Sequence, residues 1–304
     1  KAAGVENTAL LNATAMLLMI AFGIKAALFP LFFWLPAAYH TLPVSVSAFF
    51  AGMLSKVGVY ALIRMFTLVF TADTGATHAT LLVVAALTML FGVVGAASQM
   101  EMRRILSFHI ISQVGYMVLG LALFTPLALA GAIVYLIHHI IVKANLFLVS
   151  GLVRQAGGTF NLKTIGGLYR SHGLLAIGFI IPAFALAGFP PLSGFWAKLL
   201  IIKASLESQQ YTLAILSAAV GLLTVFSMIK IWSEAFWKPA PNQRQVSSVK
   251  CPLSPWMLAP VLFLALVTVV LGLCMEPVIR FSVSAAGQLM DPQVYIEAVL
   301  GGRP

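Results

Sequence analysis

Four lysines of this 304-residue chain fall inside long apolar runs, and a fifth sits close to the end of one. Lys25 lies in FGIKAALFPLFFWLP, Lys56 between SAFFAGML and GVYALI, Lys143 in IIVKANLFL, and Lys198 just after GFPPLSGF; Lys230 is the fifth. An ammonium at mid-bilayer costs roughly 2.5–3.5 kcal/mol on insertion scales, so four of them are poorly explained as accidents. The eight acids, Glu6, Asp73, Glu101, Glu207, Glu234, Glu276, Asp291 and Glu297, lie near the ends of apolar runs or between them. None is placed to neutralise a lysine at mid-depth. A low dielectric favours a neutral amine over an ammonium, so lysines in such settings can take up and release protons. Snorkelling to the interface is the bland alternative for each, and it suits Lys230 best.

Histidines extend the series. His138 and His139 lie mid-run, and His139 to Lys143 is an i,i+4 step on one helix face. His109 and Gln113 form a second such step in SFHIISQVGYM, with Ser112 beside them. Imidazole titrates near neutrality and can shuttle a proton, although a lone buried histidine is more often an ordinary core residue. His40, in the turn YHTLP, reads equally as a gate for proton uptake or as a plain loop histidine. Gly52, Gly92, Gly95, Gly115 and Gly120 read as sites of close helix packing. No metal-ligand spacing, catalytic nucleophile or cofactor motif is expected, and the widely spaced Cys251 and Cys274 receive no role.

The elements that position these groups follow from composition. The chain is 61% hydrophobic and 9% charged, with a mean hydropathy of +1.02. A soluble domain carries about 25% charged residues. A water-soluble globule, a disordered chain, a nucleic-acid binder and a secreted disulfide scaffold are therefore excluded. Eight apolar stretches, at about 9–36, 43–70, 79–100, 105–124, 126–152, 173–204, 211–236 and 255–280, are long enough to span a bilayer. They lack the alternation of a membrane barrel, so an all-α polytopic membrane protein is expected. The formal charge of +10 reads as loop charge that sets topology. Arg103, Arg104, Arg154, Lys163, Arg170, Lys238, Arg244 and Lys250 fall in alternate loops, which should be cytoplasmic together with the turn at His40. Lys1, Arg64, Lys203, Arg280 and Arg303 fall on the other side. The chain starts at Lys1, carries no signal peptide and runs straight into a span, which suggests that an N-terminal part precedes it.

Two spans should be broken. Pro30 follows Lys25, and Pro182 precedes GFPPLSGF with its Pro190 and Pro191. Proline removes a backbone donor, and at bilayer depth the freed backbone is tolerated only against protein or water. Paired broken spans point to the ion site of an inverted-repeat transporter; ordinary proline kinks are the alternative.

The segments FGIKAALFPLFFWLPAAYH, PVSVSAFFAGMLSKVGVYALIR, RRILSFHIISQVGYM and AGFPPLSGFWAKLLI resemble the antiporter-like subunits shared by respiratory complex I, membrane-bound hydrogenases and multi-subunit Na+/H+ antiporters. Within that superfamily, LPAAYHTLPVSVSA, GGLYRSHG and SEAFW resemble the D-subunit family of Mrp-type antiporters. The resemblance implies the C-terminal part of a fourteen-helix fold with two five-helix inverted repeats. Residues 1–72 would end the first repeat, 73–240 would form the second, and 241–304 would hold a cytoplasmic loop, the final span and a tail. It also implies a proton relay at Lys25, Lys56, His139, Lys143 and Lys198, with His40, His109, Gln113 and His138 as further relay or gating positions. Lys25 would pair with a glutamate on an earlier helix. The implied function is sodium efflux coupled to proton movement in the bacterial cytoplasmic membrane, without a cofactor. The implied partners are other subunits of the complex, membrane lipids, and protons and sodium as transported ions. A non-redox proton-pumping subunit of complex I or a hydrogenase is the alternative.

Overall fold

Runs of Leu, Ile, Val, Ala and Phe become helices in lipid because a helix satisfies its own backbone. The computed structural model describes residues 8–71, 74–239 and 253–301. Lys1, Glu6, Asp73, Arg244, Lys250, Cys251 and Arg303, and the expected boundaries at 72/73 and 240/241, lie outside the described residues. The helices are α1 (Thr8–Ala26), α2 (Trp34–Tyr39), α3 (Val44–Leu68), α4 (Thr74–Ser98), α5 (Met102–Leu123), α6 (Pro126–Gly157), α7 (Leu168–Ser171), α8 (Gly173–Ala187), α9 (Ser193–Glu207) and α10 (Tyr211–Ile231). A π-helical turn, Trp232–Trp237, continues α10, and α11 (Pro255–Leu273), α12 (Met275–Met290) and α13 (Pro292–Leu300) follow. Among the described residues the only β-pairing is one isolated bridge, Glu101 to Asn161.

Among the described residues, six helices are long and apolar enough to cross a membrane, and two shorter apolar helices, Leu10–Ala26 and Gly173–Ala187, accompany them. The first expected span is α1, a break and α2; the sixth is α8, a break and α9. The last expected span is too long. Its apolar run stops at Leu273, and residues 275–290 form an amphipathic helix instead, with an exposed Glu276–Arg280 ion pair of 2.6 Å. The third span starts earlier than expected, at Thr74.

At the centre stand α5, buried along nearly its whole length, and α6, the longest helix at 32 residues. The Thr125 hydroxyl accepts from the Ala128 amide and Pro126 sits at the first turn, which starts α6. Gly158, at φ +78°, ends it. Glycines bring α4 against α5, as their spacing suggests: a Cβ on Gly92 would stand 2.4 Å from the Ser112 nitrogen, and one on Gly115 would stand 2.8 Å from the Met89 nitrogen. Gly52 departs from that expectation, because ordinary contact distance remains around it.

The basic loops meet at one end of the bundle. The Met102 amide donates to the Phe160 carbonyl (3.0 Å) and the Leu162 amide to the Met100 carbonyl (2.9 Å). The Gly167 amide donates to the Lys238 carbonyl (2.6 Å), and Lys238 Nζ reaches the Lys163 carbonyl (3.1 Å). Arg104 lies 3.2 Å from His40 Nε2 at the same end. These are the loops whose charge reads as cytoplasmic.

Candidate functional site

The two broken helices stop in the same way. Ala27 (φ +63°) and Gly188 (φ +94°) take the left-handed conformation, and the next amide reaches back five residues: Leu28 to the Gly23 carbonyl (2.9 Å) and Phe189 to the Phe184 carbonyl (3.1 Å). Pro30, Pro190 and Pro191 lie in the irregular segments that follow and cannot supply helical donors. Pro182 behaves differently from an interruption, since α8 continues through it.

What braces each break differs. At the first, the Trp34 indole donates to the Ile24 carbonyl (2.8 Å), and the Phe29 amide donates to the Thr88 hydroxyl (3.0 Å). At the second, Lys198 Nζ donates 2.8 Å to the Ala187 carbonyl, the last of α8. The same ammonium lies 5.5 Å from the centre of the Tyr116 ring. Lys198 also lines a cavity of about 330 Å³ with Gly188, Pro190, Phe195, Ser217 and Gly221. This lysine thus joins the break, the core and a cavity.

Lys56, Lys143 and Lys198 are 3%, 0% and 7% exposed. Lys56 Nζ turns back on its own helix to the Ala51 carbonyl, whereas Lys143 Nζ crosses from α6 to the Leu106 carbonyl of α5 (3.1 Å). Lys143 lies within electrostatic reach of Lys56 on one hand and Lys198 on the other. His139 is within such reach of Lys56 and Lys143, and His138 of Lys198 and Lys143. His109 is within such reach of Lys143, Lys198 and Lys230. These buried groups on α3, α5, α6 and α9 therefore form one electrostatically linked cluster.

The i,i+4 steps read from the sequence are not bonded pairs. Lys143 and Gln113 reach other helices instead, because a buried helix faces neighbours on all sides, while His139 and His109 find no protein partner. His138 Nδ1 lies 2.8 Å from the Ser193 hydroxyl at the first residue of α9. Gln113 accepts from the Tyr135 hydroxyl and lies 3.5 Å from the Thr224 hydroxyl. The Tyr116 and Tyr135 rings stack at 5.2 Å, and the Tyr116 hydroxyl donates to the Ser217 carbonyl. Both ring nitrogens of His109 and of His139, Nε2 of His138, both amide atoms of Asn145 and the hydroxyls of Ser55 and Ser112 are buried without a protein partner. Buried polar groups are almost always hydrogen-bonded, to ordered water where protein offers nothing.

Two expectations need correction. Lys25 is exposed, not buried. Its neighbour Ala26 takes the inner position, so close that a Cβ on Gly58 of α3 would stand 2.6 Å from the Ala26 nitrogen, and Lys25 is left on the outer face. Lys230 does not simply snorkel; its Nζ caps the end of α4 by donating to the Ala97 and Gln99 carbonyls at 2.7 Å each. Cys274 is exposed at the junction of α11 and α12, past the apolar run. His40 remains at the turn, with Nδ1 2.8 Å from the Pro36 carbonyl.

Tyr116, Tyr135, Ser193 and Asn145 escape the sequence reading. Tyr135 had a usable signal, since it lies one helical turn before His138 and His139. Ser193, Thr224 and Ser217 had none, because their partners are more than 50 residues distant.

A bundle of membrane-length helices, two others interrupted by proline, and a buried lysine–histidine series between them define a polytopic integral membrane protein. Residues 2–224 match the family described as NADH:quinone oxidoreductase/Mrp antiporter, TM, and the chain belongs to that family. It is 48% identical to the D subunit of the Na+/H+ antiporter of Alkalihalophilus pseudofirmus, over 99% of this chain and 60% of that protein. It is 38% identical to the corresponding D subunit of Bacillus subtilis, over 97% and 59%. In structure it is similar to a chain of the Mrp complex from Dietzia sp., with a TM-score of 0.88 and 37% identity over 98% of this chain and 63% of that one. The chain thus spans about three fifths of the length of these relatives. The resemblance to the D-subunit family is borne out by them.

Proposed function

We propose that this chain works as part of the D subunit of an Mrp-type Na+/H+ antiporter, in the bacterial cytoplasmic membrane and in company with the other subunits of that complex. Its role is to conduct protons through a membrane-embedded relay coupled to sodium efflux. The observation that carries this reading is the interleaving of three buried lysines, which have no acid beside them among the described residues, with three buried histidines that have unpartnered ring nitrogens. A lysine in this setting has two accessible charge states, and imidazole can relay a proton between such sites.

Protons enter near the first break, by Lys25 and the turn at His40, and pass through Lys56, His139, Lys143 and His138 to Lys198 and its cavity. Gln113 and Tyr135 hold the path between α5 and α6. The outer face that exposes Lys25 is where the acidic partner implied by the family would pack. The three segments 1–72, 73–240 and 241–304 serve as first-repeat end, second repeat and final span with tail.

Lys25→Ala in the assembled complex is expected to abolish sodium-driven proton movement, measured as pH-dye dequenching in inverted vesicles, while the complex still assembles. Lysine in the last turn of α1 also suits the negative end of the helix, so normal exchange by the variant would leave that structural role alone and reject the relay role.

A further inference from the structure

A cavity of about 470 Å³ lies at the basic end of the bundle, apart from the buried lysines. Its walls are the turn 40–43, Val44 at the start of α3, Arg103 on α5, and Arg154 with residues 158–160 at the end of α6. Arg103 is 2% exposed. Its Nη2 donates to the Tyr39 carbonyl (2.6 Å), the Leu42 carbonyl (2.5 Å) and the Ser47 hydroxyl (2.6 Å), while its buried Nε has no partner. The Arg103 and Arg154 guanidiniums lie 4.9 Å and 5.1 Å from the Phe160 ring centre. No acid lines the cavity, and nearby Glu101 is paired with Arg104 at 3.1 Å.

Two helix ends meet there. α3 starts behind Pro43 with no side-chain cap, so its first amides and positive end face the cavity. α6 ends there with its negative end, which Arg154 in its last turn offsets. The balance of fixed charge favours an anion. From the same end of α3 an exposed apolar stripe, Val46, Phe49, Met53, Val57 and Tyr60, runs down the helix at steps of three and four. A small anion has no use for such a stripe, whereas an acyl chain does.

We propose that this cavity holds the phosphate group of an anionic phospholipid of the cytoplasmic leaflet, with its acyl chains along the α3 stripe. Arg103 and Arg154 grip the phosphate, and the bound headgroup ties the turn at His40 to the ends of α5 and α6. The lipid is thereby a brace for the turn that follows the first broken helix.

The test is native mass spectrometry of the whole complex titrated with phosphatidylglycerol or phosphatidylcholine, with and without inorganic phosphate. Wild type should retain phosphatidylglycerol in preference. Arg154→Gln should bind it about fivefold more weakly, the effect of one basic residue at a lipid surface, with phosphatidylcholine unchanged. Thr41→Glu, at an exposed rim position, puts a carboxylate at the mouth and should weaken phosphatidylglycerol binding at least as much. This second variant decides the matter if Arg154→Gln fails to assemble. Unchanged phosphatidylglycerol binding in an assembled variant overturns the proposal. Displacement of phosphatidylglycerol by inorganic phosphate keeps the phosphate site but overturns lipid as its source.

Discussion

Complexes carrying Lys198→Met are expected to assemble as wild type does and to lose sodium-driven proton movement by at least about a hundredfold, the lower range for removal of a proton-transferring group. Methionine fills the same slender volume among Ala187, Gly188 and the Tyr116 ring. The Ala187 carbonyl loses its donor, which costs about 1–3 kcal/mol if nothing replaces it. Removal of a buried ammonium offsets much of that cost. Stability should therefore hardly change while the protonatable group at the second break is gone. The measurement is the initial rate of pH-dye dequenching in inverted vesicles, beside the yield of intact complex on a native gel. A rate within twofold of wild type would remove Lys198 from the path.

The other large effect is structural. A Cβ on Gly194 would stand 1.8 Å from the Ala185 carbonyl oxygen and 2.9 Å from His138 Cε1. The obstacle is backbone of the last turn of α8, which cannot swing aside as a flexible side chain would. Gly194→Ala must separate α8 from α9 and shift His138 away from Ser193. Overpacking of this kind costs typically about 1–3 kcal/mol and can cost more. Gly173→Ala is the matched control, because nothing lies within 4 Å of its added Cβ. In detergent, the thermal midpoint of assembly should drop for Gly194→Ala and stay in place for Gly173→Ala. Equal midpoints would mean that α8 and α9 do not approach so closely.

Much of the architecture is legible in the sequence because the bilayer imposes a single length and a single solvent. Runs of apolar residues give the spans, the basic loops gather at one end, and Pro30, Pro190 and Pro191 mark the breaks near Ala26 and Ala187. The exceptions have physical causes. Residues 275–280 are no more polar on average than a span end, and only their amphipathic pattern with residues 282–290 reveals a separate helix. Lysine in an apolar run signals a buried charge at Lys56, Lys143 and Lys198. It misleads at Lys25, because hydropathy cannot tell an inner helix face from an outer one, and Ala26 holds the inner one. The i,i+4 rule finds which groups share a helix, but Gln113 bonds to Tyr135 on a different helix and His109 has no protein partner. The tyrosines that separate α5 from α6 are visible only once those helices are packed.

The central claim is that a proton passes laterally through Lys143, the group between Lys56 and Lys198. Lys143→Arg tests it most directly, because arginine keeps the positive charge and cannot deprotonate in proteins. Two unit cations about 7 Å apart repel by roughly 2–3 kcal/mol at an effective dielectric near 20. A permanent cation at Lys143 should therefore block transfer and hold its neighbours neutral. The measurement is sodium-driven proton exchange by the assembled Lys143→Arg complex in inverted vesicles, normalised to intact complex. The lateral relay predicts that exchange stops with assembly unchanged; wild-type exchange by a normally assembled variant would contradict it and leave Lys143 a structural residue.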